Sequence, residues 1–270
     1  MKTIRVFPSL TRATPDDENV RVACEPFLWD EADKVEISVT FTWDLPLAEK
    51  LYNSWKHVAT TEIGGPATGM RGEEFTPGRF IKHGYVLTSR GCNNKCWFCS
   101  VWKRDGKIRE LPITEGYNVL DDNLLSCSDE HIKNVFNMLS KQKHRPEFTG
   151  GLEAKILKQW HIDELQKLKP KQMFFAYDTP DDYDPLVIAG RMLIEAGMKN
   201  KLRCYVLCGY PNDTFDKAEK RMMQAISAGF MPMAMLYRDH KGSYDVEWRK
   251  WQRLWARPAI IRSRFKDKFS

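Results

Sequence analysis

The stretch GYVLTSRGCNNKCWFCSVWK, residues 84–103, joins a predicted strand to a loop that carries three of the seven cysteines in the chain. The strand is GYVLTS, a short, largely apolar run that ends in polar residues. The cysteines are Cys92, Cys96 and Cys99, in the spacing C-x3-C-x2-C. Three thiols this close together, directly after a strand, indicate a metal centre at the end of that strand.

Strands and helices alternate from this stretch onward. Strands are predicted at 84–89, 117–121, 147–151, 173–178, 203–210 and 231–237, and helices at 129–142, 161–168, 186–197 and 216–229. Such alternation predicts right-handed βαβ crossovers and a parallel sheet. The expected fold class is α/β, and six strands fit a partial (β/α)6 TIM-like barrel better than a complete eight-stranded one. Chemistry in such barrels takes place at the C-terminal ends of the strands.

The chain divides into three parts. Residues 34–66 predict a strand, a helix and a strand, so we interpret residues 1–79 as a small N-terminal βαβ extension with its linker. Residues 80–240 form the expected partial barrel, and residues 241–270 a basic, Trp-rich C-terminal helix or tail. The segment between Cys99 and the strand at 117–121 is short and predicts no clear first crossover helix.

The composition places the protein in the cytoplasm. No apolar run approaches the ~18 residues that a membrane span requires. The N-terminus, MKTIRVFPSLTR, has too short an apolar stretch for a secretory signal. Thiols stay reduced in the cytoplasm, where clustered cysteines are more often metal ligands than disulfides.

The formal net charge of +6 lies entirely near the C-terminus. Residues 237–270 hold ten Lys and Arg against four acids, whereas the preceding residues are balanced. Trp248, Trp251 and Trp255 share one face of a predicted helix, which we expect to dock on the barrel and leave a solvated basic face. A more specific alternative is that residues 245–270 contact nucleic acid. A helix that lies on a membrane surface is a weaker alternative.

The cysteine spacing leaves several metals open. Structural zinc prefers two separated ligand pairs, and no second pair follows here at such a spacing. His83 or His131 could supply a fourth ligand, although neither is spaced for it. Iron–sulfur clusters are normally held by four thiolates. Three thiolates would leave one iron open to a substrate or cofactor.

The motif C-x3-C-x-aromatic-C, with Phe98 as the aromatic residue, resembles that of the radical S-adenosylmethionine superfamily. The resemblance covers roughly residues 80–240 and extends to members from bacteria and phages. It implies an enzyme with one 4Fe–4S cluster on Cys92, Cys96 and Cys99, which are then the catalytic and metal-binding residues. It also implies reductive cleavage of S-adenosylmethionine to a 5′-deoxyadenosyl radical, and an electron donor such as flavodoxin or ferredoxin.

The same resemblance assigns S-adenosylmethionine contacts to the other strand ends. The residues implied are Phe98, Asp121, Asp122, Asn123, Gly150, Gly151, Glu153, Tyr177, Asp178 and Gly209. The acidic run would hold the amino group of the methionine moiety, Tyr177 and Asp178 the ribose, and Gly209 the adenine. Each of these is also a common turn or helix-cap residue type. Tyr177, Asp181, Asp182, Tyr210 and Tyr237 are unranked candidates for hydrogen donors or acids near the radical.

Two further expectations concern cofactors. The N-terminal βαβ unit is similar to a reduced cobalamin domain, but the chain has no D-x-H-x-x-G motif, so we predict no cobalamin. Cys204 and Cys208 fall on one face of a predicted strand, and we expect them to be buried side chains and not ligands of a second cluster.

Three functions follow as hypotheses. The first is a radical S-adenosylmethionine enzyme that abstracts hydrogen from an unidentified substrate. The second is radical modification of a nucleotide or nucleic acid that docks on the basic tail. The third is a non-catalytic, metal-bearing module that binds nucleic acid.

Overall fold

The N-terminal residues form a parallel sheet of their own in this computed structural model, which describes residues 2–72, 74–239 and 241–266. Its elements are β1 Thr3–Phe7, β2 Val20–Val22, β3 Lys34–Ser38, α1 Leu45–Trp55 and β4 Thr60–Gly64. The strand order is β2-β1-β3-β4, and every pairing is parallel. The predicted βαβ unit is confirmed as β3, α1 and β4, and the structure adds two strands before it.

The N-terminal sheet has a separate apolar core. Alternate strand residues and one face of α1 are buried together there, namely Ile4, Val6, Val35, Ile37, Val39, Ala48, Leu51 and Trp55. Trp55 is fully buried, and its indole N–H donates to the Cys24 carbonyl at 3.1 Å. A buried ring with its one donor satisfied fixes α1 on the sheet.

The rest of the chain is organised around a six-stranded sheet with a short ribbon beside it. The strands are β5 Tyr85–Val86, β6 Ser89–Arg90, β7 Arg109–Glu110, β8 Asn118–Val119, β9 Glu147–Leu152, β10 Gln172–Ala176, β11 Leu202–Cys208 and β12 Met231–Leu236. The sheet order is β12-β11-β10-β9-β8-β5, all parallel, and β6 pairs antiparallel with β7. The predicted α/β class with a parallel sheet is therefore confirmed.

Helices connect these strands. The α-helices are α2 Val101–Arg104, α3 Asp129–Ser140, α4 Gln159–Leu168, α5 Tyr183–Glu195, α6 Phe215–Ser227, α7 Val246–Trp255 and α8 Pro258–Arg264. Short 3-10 turns lie at Thr42–Asp44, Pro66–Thr68, Leu124–Ser126, Ala154–Ile156, Pro180–Asp182 and Lys199–Lys201. Each successive strand of the sheet is added at the same edge, so right-handed crossovers place the connecting helices on one face. None of the described helices is both long and apolar enough to cross a membrane.

The C-terminal helices belong to the main core. Trp255 and Ile261 are fully buried in it, and Trp248 and Trp251 pack against it. Arg249, Lys250 and Arg253 are exposed on the other side of α7. The prediction of a helix that docks its tryptophans and leaves a solvated basic face is confirmed. The Gln252 side chain also donates to the Ala234 carbonyl of β12, at 3.1 Å.

Candidate functional site

The three motif cysteines lie on a loop between β6 and β7. The Cys92 amide donates to the Gly106 carbonyl at 3.1 Å, and the Cys99 amide to the Cys96 carbonyl at 3.1 Å. The Cys96 carbonyl also accepts from the Trp102 indole N–H at 3.0 Å. These hydrogen bonds hold the loop in a compact conformation just before the single helical turn α2. The cysteines therefore lie on a backbone segment that is fixed by its own hydrogen bonds.

The thiols are free, partly buried and close enough to influence one another. Burial, together with the negative charges that Cys99 and Cys92 would carry, raises the pKa of Cys96 to about 11. Burial also raises the pKa of Cys99, and the charge of Cys92 adds to it. Three thiolates can therefore coexist here only beside a compensating positive charge. Among residues 2–72, 74–239 and 241–266, no three or more His, Cys, Asp or Glu side chains are grouped to hold a metal ion.

Asp121 anchors the strand end that leads into the cysteine loop. Its carboxylate accepts from the Thr88 amide and hydroxyl and from the Ser89 hydroxyl, each at 2.6 Å. It is 1% exposed, and burial raises its pKa against the opposing effect of these hydrogen bonds. The resemblance implied a contact between Asp121 and the methionine amino group. The structure places both carboxylate oxygens on Thr88 and Ser89 instead.

Asp122 and Asn123 point to the loop itself. The Asp122 carboxylate accepts from the Gly91 amide at 2.9 Å, and burial raises its pKa. The Asn123 side-chain N–H donates to the Glu153 carboxylate at 2.5 Å and lies 3.6 Å from the Cys92 sulfur. Its carbonyl oxygen is buried without a hydrogen-bond partner among the described residues. A buried acceptor left open beside a thiol is suited to receive a donor from a ligand.

Gly150 and Gly151 let β9 pass close to the end of β8. A Cβ built on Gly150 would come within 2.2 Å of the Asp121 carbonyl oxygen, so only glycine fits there. Gly151 has a φ of +119°, which L side chains rarely adopt, and nothing lies within 4 Å of a Cβ built on it. The β9–β10 register shifts at this point. The glycine pair therefore brings Glu153 to Asn123 and leaves open space beside Gly151.

Tyr177 and Asp178 are neighbours with different hydrogen-bond partners. The Tyr177 ring is 3% exposed in the main core, and its hydroxyl donates to Gln224 of α6 at 2.8 Å. The Asp178 carboxylate accepts from the Leu207 amide at 3.0 Å, and burial raises its pKa to about 6. The charge of Asp178 also contributes to the raised pKa of Cys96 and to that of the buried Cys204. The structure places Asp178 at the end of β10, bonded to β11, and directs Tyr177 into the core.

The last two residues implied by the motif lie at the rim. The Phe98 ring packs edge-on against Trp97, with centroids 5.5 Å apart. Gly209 follows β11, and a Cβ built there would meet the Trp248 ring of α7 at 3.0 Å. The tail helix therefore packs directly behind the strand end where the resemblance places the adenine.

Sequence reasoning missed an aromatic cluster at the mouth of the site. The Trp97 ring is 53% exposed, and its centroid lies 5.8 Å from that of Tyr210 and 5.6 Å from that of Tyr237. The signal was available, because Trp97 lies between two motif cysteines and both tyrosines follow predicted strands. The roles of Thr88 and Ser89 as partners of Asp121 were also missed, since GYVLTS was interpreted only as a strand.

The site thus gathers three thiols, the carboxylates of Asp122, Glu153 and Asp178, and the Asn123 amide at one edge of the parallel sheet. Compared with known proteins, the chain matches no protein-family model, and no curated protein is significantly similar to it. The functional argument therefore depends on the chemistry of these residues.

Proposed function

We propose that the chain is a radical S-adenosylmethionine enzyme that holds one 4Fe–4S cluster on Cys92, Cys96 and Cys99. The observation that carries the proposal is the contact between this thiol loop and the hydrogen-bonded pair Asn123–Glu153. The side-chain nitrogen of Asn123 lies 3.6 Å from the Cys92 sulfur. The pair comes from the ends of two other strands of the sheet. A structural metal loop would not require an open amide acceptor and a carboxylate beside it.

The donor set fits a cubane cluster with one open corner. Thiolates are the usual ligands of iron–sulfur clusters. Cys92, Cys96 and Cys99 would each supply one thiolate to such a cluster. The raised pKa keeps the Cys96 thiol protonated in the metal-free protein, and bound cationic irons would favour its ionised form.

The strand order supports the finer fold of the proposal. The six strands follow one another across the sheet in chain order, which is the order of a (β/α) barrel and not of a doubly wound sheet. We propose a partial (β/α)6 barrel in which the helices cover one face and the other faces the lumen. All the site residues then lie at its C-terminal end.

In this proposal the side chains divide the binding of S-adenosylmethionine among them. The open carbonyl of Asn123 and the Glu153 carboxylate accept from the methionine ammonium group, as acceptors suited to a cation. The space beside Gly151 admits the methionine backbone, and Asp178 accepts from a ribose hydroxyl. Asp121 contributes to the binding of S-adenosylmethionine only indirectly, because it fixes the strand end that precedes the cysteine loop. We assign neither Tyr177 nor cobalamin a role.

When bound, the reduced cluster supplies the electron that cleaves the C5′–S bond of S-adenosylmethionine and yields a 5′-deoxyadenosyl radical. The protein's own residues position the cofactor and exclude water from it. Trp97, Tyr210 and Tyr237 form the aromatic wall that does so at the mouth. The electron comes from a donor such as flavodoxin or ferredoxin, and we place the enzyme in the cytoplasm, where its thiols stay reduced.

The proposal is tested by anaerobic reconstitution with iron and sulfide, reduction, and addition of S-adenosylmethionine. We expect brown protein with about four irons per chain, as a cubane requires, and formation of 5′-deoxyadenosine. Cluster-loaded protein that neither binds nor cleaves S-adenosylmethionine would contradict the proposal. Colourless protein with one zinc would instead favour the metal-bearing module.

Two cysteine variants provide a matched pair. Cys96→Ala removes one cluster ligand and should abolish both iron binding and cleavage. Cys204 and Cys208 are fully buried in the main core, as predicted. Cys208→Ala should therefore retain iron and cleavage, and loss of iron in this variant would show that the cluster site is assigned to the wrong residues.

A further inference from the structure

We propose that the substrate of this site is single-stranded nucleic acid, bound along four arginines that extend from beside the cysteine loop, along α7, to the start of α8. The arginine line consists of Arg238, Arg249, Arg253 and Arg257. The inference rests on the proposed function and adds the class of molecule on which the radical acts. The contacts of Arg238, the spacing of the other arginines and the exposed aromatic ring beside the cysteines carry it.

Arg238 is a fixed cation at the rim of the site. It follows Tyr237, whose ring centroid lies 5.6 Å from that of Trp97 in the cysteine loop. The Arg238 guanidinium carbon lies 4.4 Å from the Trp43 ring centroid and 4.8 Å from that of Tyr244. Stacking on two rings holds the guanidinium plane while its N–H donors stay unused, since Arg238 has no hydrogen bond or ion pair with the described residues. A rigid guanidinium with free donors is suited to a phosphate.

The line continues along the exposed face of α7. The Arg249 guanidinium carbon lies 5.1 Å from the centroid of the same Tyr244 ring. Arg253 is four residues further on and therefore lies on the same helix face. Arg257 lies beyond the end of α7, immediately before α8. The side chains of Arg249, Arg253 and Arg257 are all exposed. Trp248, Trp251 and Trp255 occupy the opposite, packed face of α7.

The net positive charge of the chain is concentrated in the region of this line. The ten Lys and Arg of residues 237–270 exceed their four acids, while the preceding residues are neutral overall. Arg253 and Arg257 form no ion pair with a described residue. Phosphates spaced along a strand would neutralise successive cations in a way that a single small anion would not.

An exposed ring lies where a base would be held. Trp97 is 53% exposed between Cys96 and Phe98, and its ring contacts those of Tyr210 and Tyr237. Bases stack on aromatic side chains in proteins that bind single strands. A strand whose phosphates follow the arginine line would bring one nucleotide to Trp97 and thus to the cysteine loop.

The test is the binding of a short fluorescent single-stranded oligonucleotide to the full chain, followed by anisotropy over a series of salt concentrations. Wild-type affinity should fall steeply with salt. Arg238→Gln and Arg253→Gln should each weaken binding severalfold and reduce the slope of log K against log salt by about 0.7. Arg191→Gln, on the exposed face of α5, is the matched control and should leave both unchanged.

Trp97→Ala separates stacking from charge. It should weaken binding roughly fivefold or more while it leaves the salt slope unchanged, because it removes a ring and no cation. No binding by the wild-type chain, or equal losses in Arg191→Gln, would overturn the inference. A mononucleotide that competes as well as the oligonucleotide would also overturn it, because it would show a single phosphate site and not a strand path.

The outcome is distinguishable from a failure of the proposed function. Cys96→Ala should lose iron but keep its affinity for the oligonucleotide. Protein that cleaves S-adenosylmethionine but does not bind the strand would refute the inference alone. Protein that binds the strand but neither binds nor cleaves S-adenosylmethionine would refute the enzyme, and with it the assignment of the strand as substrate.

Discussion

The carbonyl oxygen of Asp121 lies 2.2 Å from the position that a Cβ on Gly150 would occupy. The obstacle is backbone and not the end of a flexible side chain, so it cannot move aside without displacing the end of β8. That strand end also carries the Asp121 carboxylate and the Asn123 amide. The close approach of these two backbones therefore sets the spacing of the whole site.

Gly150→Ala should destabilise the protein by about 3 kcal/mol, the upper end of the usual cost of overpacking, because the obstacle is backbone and cannot move aside. Gly64→Ala is the matched control, since nothing lies within 4 Å of a Cβ built there. Urea denaturation followed by circular dichroism measures both. Equal, small losses in the two variants would show that β8 and β9 are further apart than described.

Asp121→Asn should cost about 2 kcal/mol of stability, the usual effect of leaving a buried hydrogen-bond donor unsatisfied. An amide can accept through only one of its two polar atoms, whereas the carboxylate accepts from Thr88 and Ser89 through both oxygens. Asp163→Asn, on the exposed side of α4, is the control and should change little. An unchanged midpoint for Asp121→Asn in thermal denaturation would contradict the anchoring role.

His161 should make the protein less stable in acid. Burial, with a smaller contribution from the charge of Lys158, lowers its pKa from 6.5 to about 4. Between these values the unfolded chain takes up a proton that the folded one does not. Stability is therefore full above pH 6.5 and falls as the pH drops toward about 4, by up to about 3 kcal/mol.

His161→Gln tests this pH dependence and retains an acceptor for the Lys158 amide, which now donates to the His161 ring at 3.0 Å. The variant should show a flatter loss of stability between neutral pH and the folded-state pKa. Denaturation at a series of pH values measures it. Parallel curves for wild type and variant would mean that other groups cause the acid sensitivity.

Trp255→Ala should destabilise the fold by about 3–5 kcal/mol, because it empties a large site in the main core. Trp29→Ala provides the control, since this ring is 72% exposed and its loss should stay within about 0.5 kcal/mol. Trp255→Phe should cost less than Trp255→Ala, because the buried indole N–H has no partner among the described residues. Thermal denaturation measures these variants. If Trp255→Ala has the same midpoint as the wild type, the C-terminal helices do not contribute to the main core.

Most of the six-stranded sheet could be predicted from the sequence. The strand expected at 203–210 is β11, Leu202–Cys208, and the helix expected at 216–229 is α6, Phe215–Ser227. These elements are long enough for apolar periods of two and 3.6 residues to be clear. The strand at 3–7 was not predicted, because its five residues end at Pro8 and its pairing with β3 depends on residues far along the chain.

The sequence predicted which residues belong to the site better than it predicted how their side chains are arranged. The period of two along β10 places Tyr177 on the buried face with Phe175, so its direction into the core could have been inferred. The direction of Asp121 could not, because it depends on how the turn after β8 folds back on Thr88 and Ser89. The Asn123–Glu153 contact likewise required two strand ends to meet.

The hydrogen bond from Gln252 to the Ala234 carbonyl has a consequence for solubility. β12 is an outer strand of its sheet, and an uncovered outer strand can pair with another copy of the chain and begin aggregation. The helix α7, which supplies Gln252, shields this edge of the sheet. The strand at the opposite edge, β5, is only two residues long and offers few backbone groups for pairing. A chain shortened before residue 246 should therefore precipitate by strand addition, whatever becomes of its chemistry.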